Sequence, residues 1–220
     1  MRMVLVCGID EAGRGPVIGP LVICGAMVED GKLDELRALG VKDSKMLTHK
    51  SRTEMCAKIK EVLVDFKIIK VQPSEIDHVV ESKTTNLNWL EADKSVEIIN
   101  ALDPDEVILD CPSPNVKKYA SYIKERVDDD NVKVVAKHKA DRDYVIVGAA
   151  SILAKCEREH EVAEIEKVVG QSIGSGYPSN PVCQEFLRKH GEQYPEIIRR
   201  SWMTWKNHVK GKRQKTLGEF

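Results

Sequence analysis

No apolar run in the 220-residue chain approaches the roughly 18 residues that a membrane-spanning helix requires. No basic-plus-apolar signal stands at the N-terminus, so the expectation is a cytoplasmic protein without a membrane partner. The six cysteines, Cys7, Cys24, Cys56, Cys111, Cys156 and Cys183, include no Cys-x-x-Cys pair. Several lie in apolar runs, which reads as buried thiols in a reducing compartment and excludes a disulfide framework or a cysteine zinc site. Net charge is also nearly absent, with 34 Lys plus Arg against 35 Asp plus Glu. Bulk charge therefore declares no nucleic-acid partner. Internal repeats and low-complexity linkers are missing too, which excludes repeat architectures.

Charged residues make up 31% and apolar ones 42%, the composition of one large globular domain or one domain with a small appendage. The basic residues are unevenly spread. Arg199, Arg200, Lys206, Lys210, Lys212, Arg213 and Lys215 follow one another with no acid among them, giving the C-terminal region a local positive field.

The most informative stretch is Gly8-Ile9-Asp10-Glu11-Ala12-Gly13-Arg14-Gly15-Pro16. A short β-branched run, Met3 to Cys7, reads as a buried strand, and the two acids stand where it ends. Val17 to Val28 reads as a second strand, paired to the first through the Gly-Arg-Gly turn. Pro20 within it points to an edge position or a bulge. Side chains alternate along a strand, so Asp10 and Glu11 do not both face one way if the strand is regular. Buried carboxylates are costly unless something positive offsets them, and hard divalent cations prefer oxygen ligands. Gly13 and Gly15 allow close backbone approach, and Arg14 adds a fixed positive charge. Taken alone, the stretch reads more readily as a hairpin turn with charged residues facing solvent.

Further along, Thr48 is placed to cap a helix over about 50–64. A strand over 66–71 follows, then a helical turn near 75–79 and a helix over 88–102. Val107 to Asp110 reads as a strand ending on a carboxylate, followed by a helix to about Val127. Asp128, Asp129 and Asp130 read as a solvated turn. Val132 to Ala136 reads as a strand, and 143–168 as a long helix with small residues on its early turns. Pro181 opens a helix to about His190, and a last helical piece carries Trp202 and Trp205. Strands alternating with helices after an opening hairpin indicate an α/β domain with a mixed sheet. Asp10 and Asp110 end predicted strands and Asp141 follows one, where α/β folds gather ligands. Each acid also has an ordinary reading: Asp10 as a turn former, Asp110 as a strand-end acid, Asp141 as the partner of Lys139 or Arg142.

The segment GIDEAGRGPVIGPLV resembles the N-terminal signature of the type 2 ribonucleases H, ribonuclease HII, in their archaeal form. KDSKMLT, GAASILAK and GSGYPSNP match the same family in order, over Val4 to about Asn207. The resemblance implies a ribonuclease H-like mixed β-sheet flanked by helices, with a C-terminal helical extension. The expected organisation is a catalytic domain over 1–175, the extension over 176–209 and a flexible basic tail over 210–220. It implies Asp10, Glu11, Asp110 and Asp141 as catalytic acids and ligands for two Mg²⁺ or Mn²⁺ ions, an arrangement that stabilises both the attacking and the leaving oxygen of a phosphodiester. Gly13, Arg14, Gly15 and Tyr177 would read the 2′-OH and the RNA-to-DNA junction. Lys45 would contact a phosphate, with Lys42 a weaker candidate. Ser151 and Lys155 match as well, though packing explains Ser151 equally, and His138 reads as a solvated loop residue.

The implied reaction is hydrolysis on the 5′ side of a ribonucleotide, leaving a 3′-hydroxyl and a 5′-phosphate. The substrates would be RNA–DNA hybrids and duplex DNA with embedded ribonucleotides, met in ribonucleotide excision repair and replication. A monomer is expected. Gln214, Leu217 and Phe220 resemble a sliding-clamp binding peptide that lacks its usual second aromatic. A clamp-tethered, non-catalytic hybrid-binding module is the alternative from another class. A site for a small phosphorylated ligand is a third, but the glycine loop fits neither Walker A nor dinucleotide spacing.

Overall fold

The computed structural model describes residues 3–41 and 48–217, with side chains through residue 211. Among the described residues, five strands form one sheet: β1 (Leu5–Ala12), β2 (Leu21–Glu29), β3 (Asp65–Val71), β4 (Glu106–Asp110) and β5 (Lys133–Lys137). Their order is β3-β2-β1-β4-β5. β1 runs antiparallel to β2 and parallel to β4, and β4 runs parallel to β5. This is the mixed sheet expected of an α/β chain. The helices are α1 (Leu33–Ala38), α2 (His49–Val62), α3 (Pro73–Glu81), α4 (Leu87–Leu102), α5 (Val116–Lys124), α6 (Ala140–Asp143), α7 (Val145–Val169), α8 (Pro181–His190) and α9 (Met203–Leu217).

Local chemistry sets several of these boundaries. Thr48 caps α2 as its position predicts, its hydroxyl accepting from the Ser51 N–H at 3.2 Å. Asn180 does the same for α8, accepting from the Val182 and Cys183 N–H groups at 2.9 and 3.2 Å, with Pro181 in the first turn.

The chain divides into two compact units that interleave in sequence. The first comprises Met1–Ala12, Val22–Lys70 and Asn88–Glu157; the second comprises Gly13–Leu21, Val71–Leu87 and Arg158–Phe220. In the first unit, Ala149, Ala150, Ile152, Leu153 and Ala154 of α7 join Val22, Cys24, Ala26 and Val28 of β2 in one buried cluster. Gly8 of β1 has its own reason. A Cβ there would lie 2.5 Å from the backbone of Ile146 and Val147, so the start of α7 rests directly on the strand. Asp10 is two residues further on. The second unit has its own core of Val17, Ile18, Ile173, Phe186, Leu187, Ile198 and Trp205.

Several boundaries differ from the sequence reading. β1 does not end at Cys7 but continues through both acids, with Asp10 opposite Cys24 and Glu11 opposite Ile23. The second strand begins at Leu21, not Val17, and lies inside the sheet rather than at an edge. Pro20 has no N–H to give the ladder and Gly19 has a φ of +84°, so pairing starts after them. Ile18 instead bridges to Ile198. Helix α1 was not anticipated; it is six residues long and buries only Leu36, too little for a periodic signal. The backbone of α9 is helical through Leu217, beyond the expected boundary at 209. All six cysteines are free, and five are buried. No helix among the described residues is long and apolar enough to cross a membrane.

Candidate active site

β1 and β4 bring two acids to neighbouring strands. Ile9 pairs with Leu109 in parallel register, and Asp10 and Asp110 are the next residues on each strand. Asp110 pairs in turn with Lys137 of β5. The chain then turns through Lys139, at a left-handed φ of 59°, into α6. That turn aims the Ala140 N–H at Asp110 Oδ1, 2.8 Å away, and puts Asp141 in the first turn of α6.

The electrostatics show that three of the acids stand close to one another. Asp10 is only 6% exposed. Burial raises its pKa from 3.8 to about 6; hydrogen bonds from the Ser151 hydroxyl and the Glu11 N–H oppose this, and the charges of Asp110 and Asp141 add to it. The Glu11 N–H reaches Asp10 Oδ1 at 2.8 Å. Burial also raises Asp110, against the Ala140 N–H, and the charge of Asp141 pushes it the same way. The charge of Glu11 is felt at Cys111, where that of Asp110 also acts, and at Tyr119. Glu91 of α4, 2% exposed, acts on the same two groups.

Among the described residues, no three His, Cys, Asp or Glu side chains form a group that could by itself hold a metal ion. The chemistry of the donors nevertheless fits one. They are oxygen-only, partly dehydrated and mutually repelling, which is the setting a hard divalent cation relieves.

In the second unit, Gly13 has a φ of +87°, and a Cβ on it would collide with the Arg158 side chain. A Cβ on Gly15 would lie 3.4 Å from the Tyr177 ring. The Val17 and Ile18 N–H groups donate to Gly176 O at 2.9 and 3.3 Å, and Arg158 Nη2 donates to Ser175 O at 2.8 Å. The Arg158 guanidinium lies 5.3 Å from the Tyr177 ring centroid. Gly13, Arg14, Gly15 and Tyr177 thus belong to one assembly, and Tyr177 is 41% exposed rather than part of the core.

Lys42, Lys45 and Phe220 lie outside the described residues, as do the side chains of Gln214 and Leu217. His138 is exposed, but its Nδ1 lies 3.0 Å from Cys111 O, beside Asp110. Asp128, Asp129 and Asp130 are exposed, as a solvated turn should be. Three residues gain weight from the structure. Ser151, which packing alone would explain, bonds to Asp10. Glu91 carried no sequence signal beyond its place in an amphipathic helix. Arg199 was counted in the surface-charge run, yet it is wholly buried.

The family profile described as Ribonuclease HII matches residues 7–205. The chain belongs to the ribonuclease HII family. Ribonuclease HII from Pyrococcus horikoshii is 41% identical over 222 residues, covering 98% of each chain. The crystal structure of ribonuclease H2 from Pyrococcus horikoshii OT3 superposes with a TM-score of 0.87 at 40% identity, over 96% of this chain and 99% of that one. Ribonuclease HII in the complex with PCNA from Archaeoglobus fulgidus gives a TM-score of 0.82 at 37% identity, over 90% and 95%. Membership makes this chain a ribonuclease H endonuclease, a hydrolase on a ribonuclease H-like fold.

The raised Asp10 value predicts a pH effect on the metal-free enzyme. Its contribution to stability is fully present below pH 3.8 and is lost as pH rises through about 6. The loss is on the order of 3 kcal/mol, at about 1.4 kcal/mol per unit. In chelator, Asp10→Asn is therefore expected to melt above wild type at pH 8, with the gap closing towards pH 4. Thermal unfolding across that range checks it; a pH-independent gap would assign the effect to packing.

Proposed function

We propose that the enzyme cuts the RNA strand of RNA–DNA hybrids and nicks duplex DNA 5′ of single embedded ribonucleotides, leaving a 3′-hydroxyl and a 5′-phosphate. The observation that carries this reading is the placement of Asp10 and Asp110 side by side on the parallel strands β1 and β4, with the charge of Asp141 on α6 acting on both. Those three acids, with Glu11, would hold two Mg²⁺ or Mn²⁺ ions. When bound, the ions would offset the carboxylate charge and stabilise charge on the attacking and leaving oxygens.

The chain's own groups do the rest. The Ser151 hydroxyl and the Ala140 N–H hold the Asp10 and Asp110 carboxylates in one orientation, so the acids need not reorganise during the reaction. The Gly13-Arg14-Gly15 backbone reads the 2′-OH, the group that separates RNA from DNA. The exposed Tyr177 ring stacks on the sugar that follows, and Lys45 meets a phosphate as a point charge. On this reading the enzyme belongs to ribonucleotide excision repair and replication in the cytoplasm.

A DNA duplex with one ribonucleotide tests the reaction. Wild type should nick it 5′ of the ribonucleotide only with Mg²⁺ or Mn²⁺. Asp110→Asn should reduce the rate by at least about 100-fold, the upper end of losses from disturbing even a ligand's outer-shell partner. Metal-independent cutting, or full activity in the mutant, would sink the two-metal reading.

The tail reading extends to a partner. Gln214, Leu217 and Phe220 form a peptide that engages a sliding clamp, a reading supported by the PCNA complex of the Archaeoglobus fulgidus relative. Calorimetric titration of the clamp with full-length protein should show binding that Phe220→Ala weakens at least about tenfold, the loss of one buried aromatic anchor. Equal affinity of the two proteins would remove the tail from the interface.

A further inference from the structure

Arg199 is an unusual residue for its place. It follows two isoleucines, Ile197 and Ile198, and its side chain is wholly buried. A guanidinium stays charged at any ordinary pH and carries five donors in a rigid fork, so burying it demands several acceptors at once. The acceptors it meets are backbone carbonyls of the glycine loop. Nη2 donates to Gly13 O at 2.7 Å, Nη1 to Arg14 O at 3.0 Å and Nε to Gly19 O at 3.0 Å. The next carbonyl in the loop, Gly15 O, accepts from the Trp202 indole N–H at 3.2 Å. The guanidinium lies 5.1 Å from the Trp202 ring centroid, so the two donors support one another.

The segment that carries them is itself fixed. The Arg199 N–H donates to Val17 O, and the Gly19 N–H to Ile197 O. Asp77 of α3 accepts from the Arg200 and Ser201 N–H groups at 2.8 and 2.9 Å, and from the Ser201 hydroxyl at 2.6 Å.

The peptide bond is planar, and no cis bond occurs among the described residues. In a trans peptide the C=O of one residue and the N–H of the next point in opposite directions. Turning Gly13 O and Arg14 O towards Arg199 therefore turns the Arg14 and Gly15 N–H groups away from it. After Gly15, Pro16 has no N–H at all. The orientation of two donors in the proposed ribose-reading loop is thus set from behind, by a residue that does not itself touch the substrate.

We propose that Arg199 and Trp202 are positioning residues for recognition of the 2′-OH. They gather the loop carbonyls on one side so that the Arg14 and Gly15 N–H groups present a fixed donor pair to the ribose oxygen. The inference rests on the reading of the loop as the ribose sensor, and its test separates the two.

Cleavage is measured on two duplexes that differ only at the marked nucleotide, ribo in one and 2′-fluoro in the other. Fluorine is a poor acceptor, so the ratio of kcat/KM values reports 2′-OH recognition, while a general loss of folding or metal affinity scales both rates alike. Trp202→Ala takes away the ring beside the Arg199 guanidinium as well as the donor to Gly15 O; it should lower the ratio about fivefold, the worth of one such contact. Arg199→Gln should lower it on the order of 100-fold. Arg199→Lys, which keeps the charge and one or two donors, should recover part of that loss. Ratios unchanged from wild type in Trp202→Ala, or in either Arg199 variant that folds, would overturn the inference. A wild-type ratio near one would instead overturn the ribose-sensor reading, and the inference with it.

Discussion

Three carboxylates close enough to act on one another's charge, one of them buried, form the constraint on which the first unit turns. Two unit charges about 4 Å apart repel by about 4 kcal/mol at an effective dielectric of 20. Asp10 and Asp110 show that repulsion in their raised protonation, the charge of Asp141 acting on both, together with the larger cost of burial. The fold imposes it deliberately. Parallel register sets Asp10 beside Asp110, and Gly8 lets α7 press on β1 so that Ser151 reaches Asp10. The left-handed Lys139 turns the chain so that Asp141 joins from α6. A sheet selected for stability alone would place apolar side chains there. The structure instead stores unfavourable charge in the direction that a divalent cation would relieve.

The second unit solves the inverse problem. There the buried charge is positive, and backbone carbonyls satisfy it. Arg199 collects three of them from one short loop, and Trp202 takes a fourth. Glycine at 13 makes this possible, because its φ is +87° and a side chain there would strike Arg158. One unit thus presents acidic oxygens and the other a rigid backbone edge.

Much of this was legible in the sequence, for physical reasons that differ by element. α2 and α8 are legible because Thr48 is a strong cap that acts locally and Pro181 is suited to a first helical turn. β4 was placed because an apolar triplet between turn formers and an acid admits few other readings. The run 17–28 was misread because composition does not show where pairing begins; Gly19 and Pro20 decide that, and residues 17–20 pack in the other unit. The end of β1 was set too early because acids were taken as a boundary, when the ladder in fact carries them. The four acids stood out through resemblance, since each alone has an ordinary explanation. Arg199 was not legible at all. Sequence reads an arginine among arginines as surface charge, and only the tertiary fold shows it enclosed. Ser151 was ambiguous for a similar reason: a small residue on a packed helix looks the same whether or not its hydroxyl has a task.

On the proposed reading, the clustered carboxylates of the first unit bind a divalent cation. The most direct test is calorimetric titration of Mn²⁺ into the protein without nucleic acid at pH 8, for wild type and Asp10→Asn. Wild type should give a saturable binding heat, and Asp10→Asn should lose most of it while remaining folded. The same heat in both proteins, or none in wild type, would contradict the account and leave the buried acids as a structural feature with another cause.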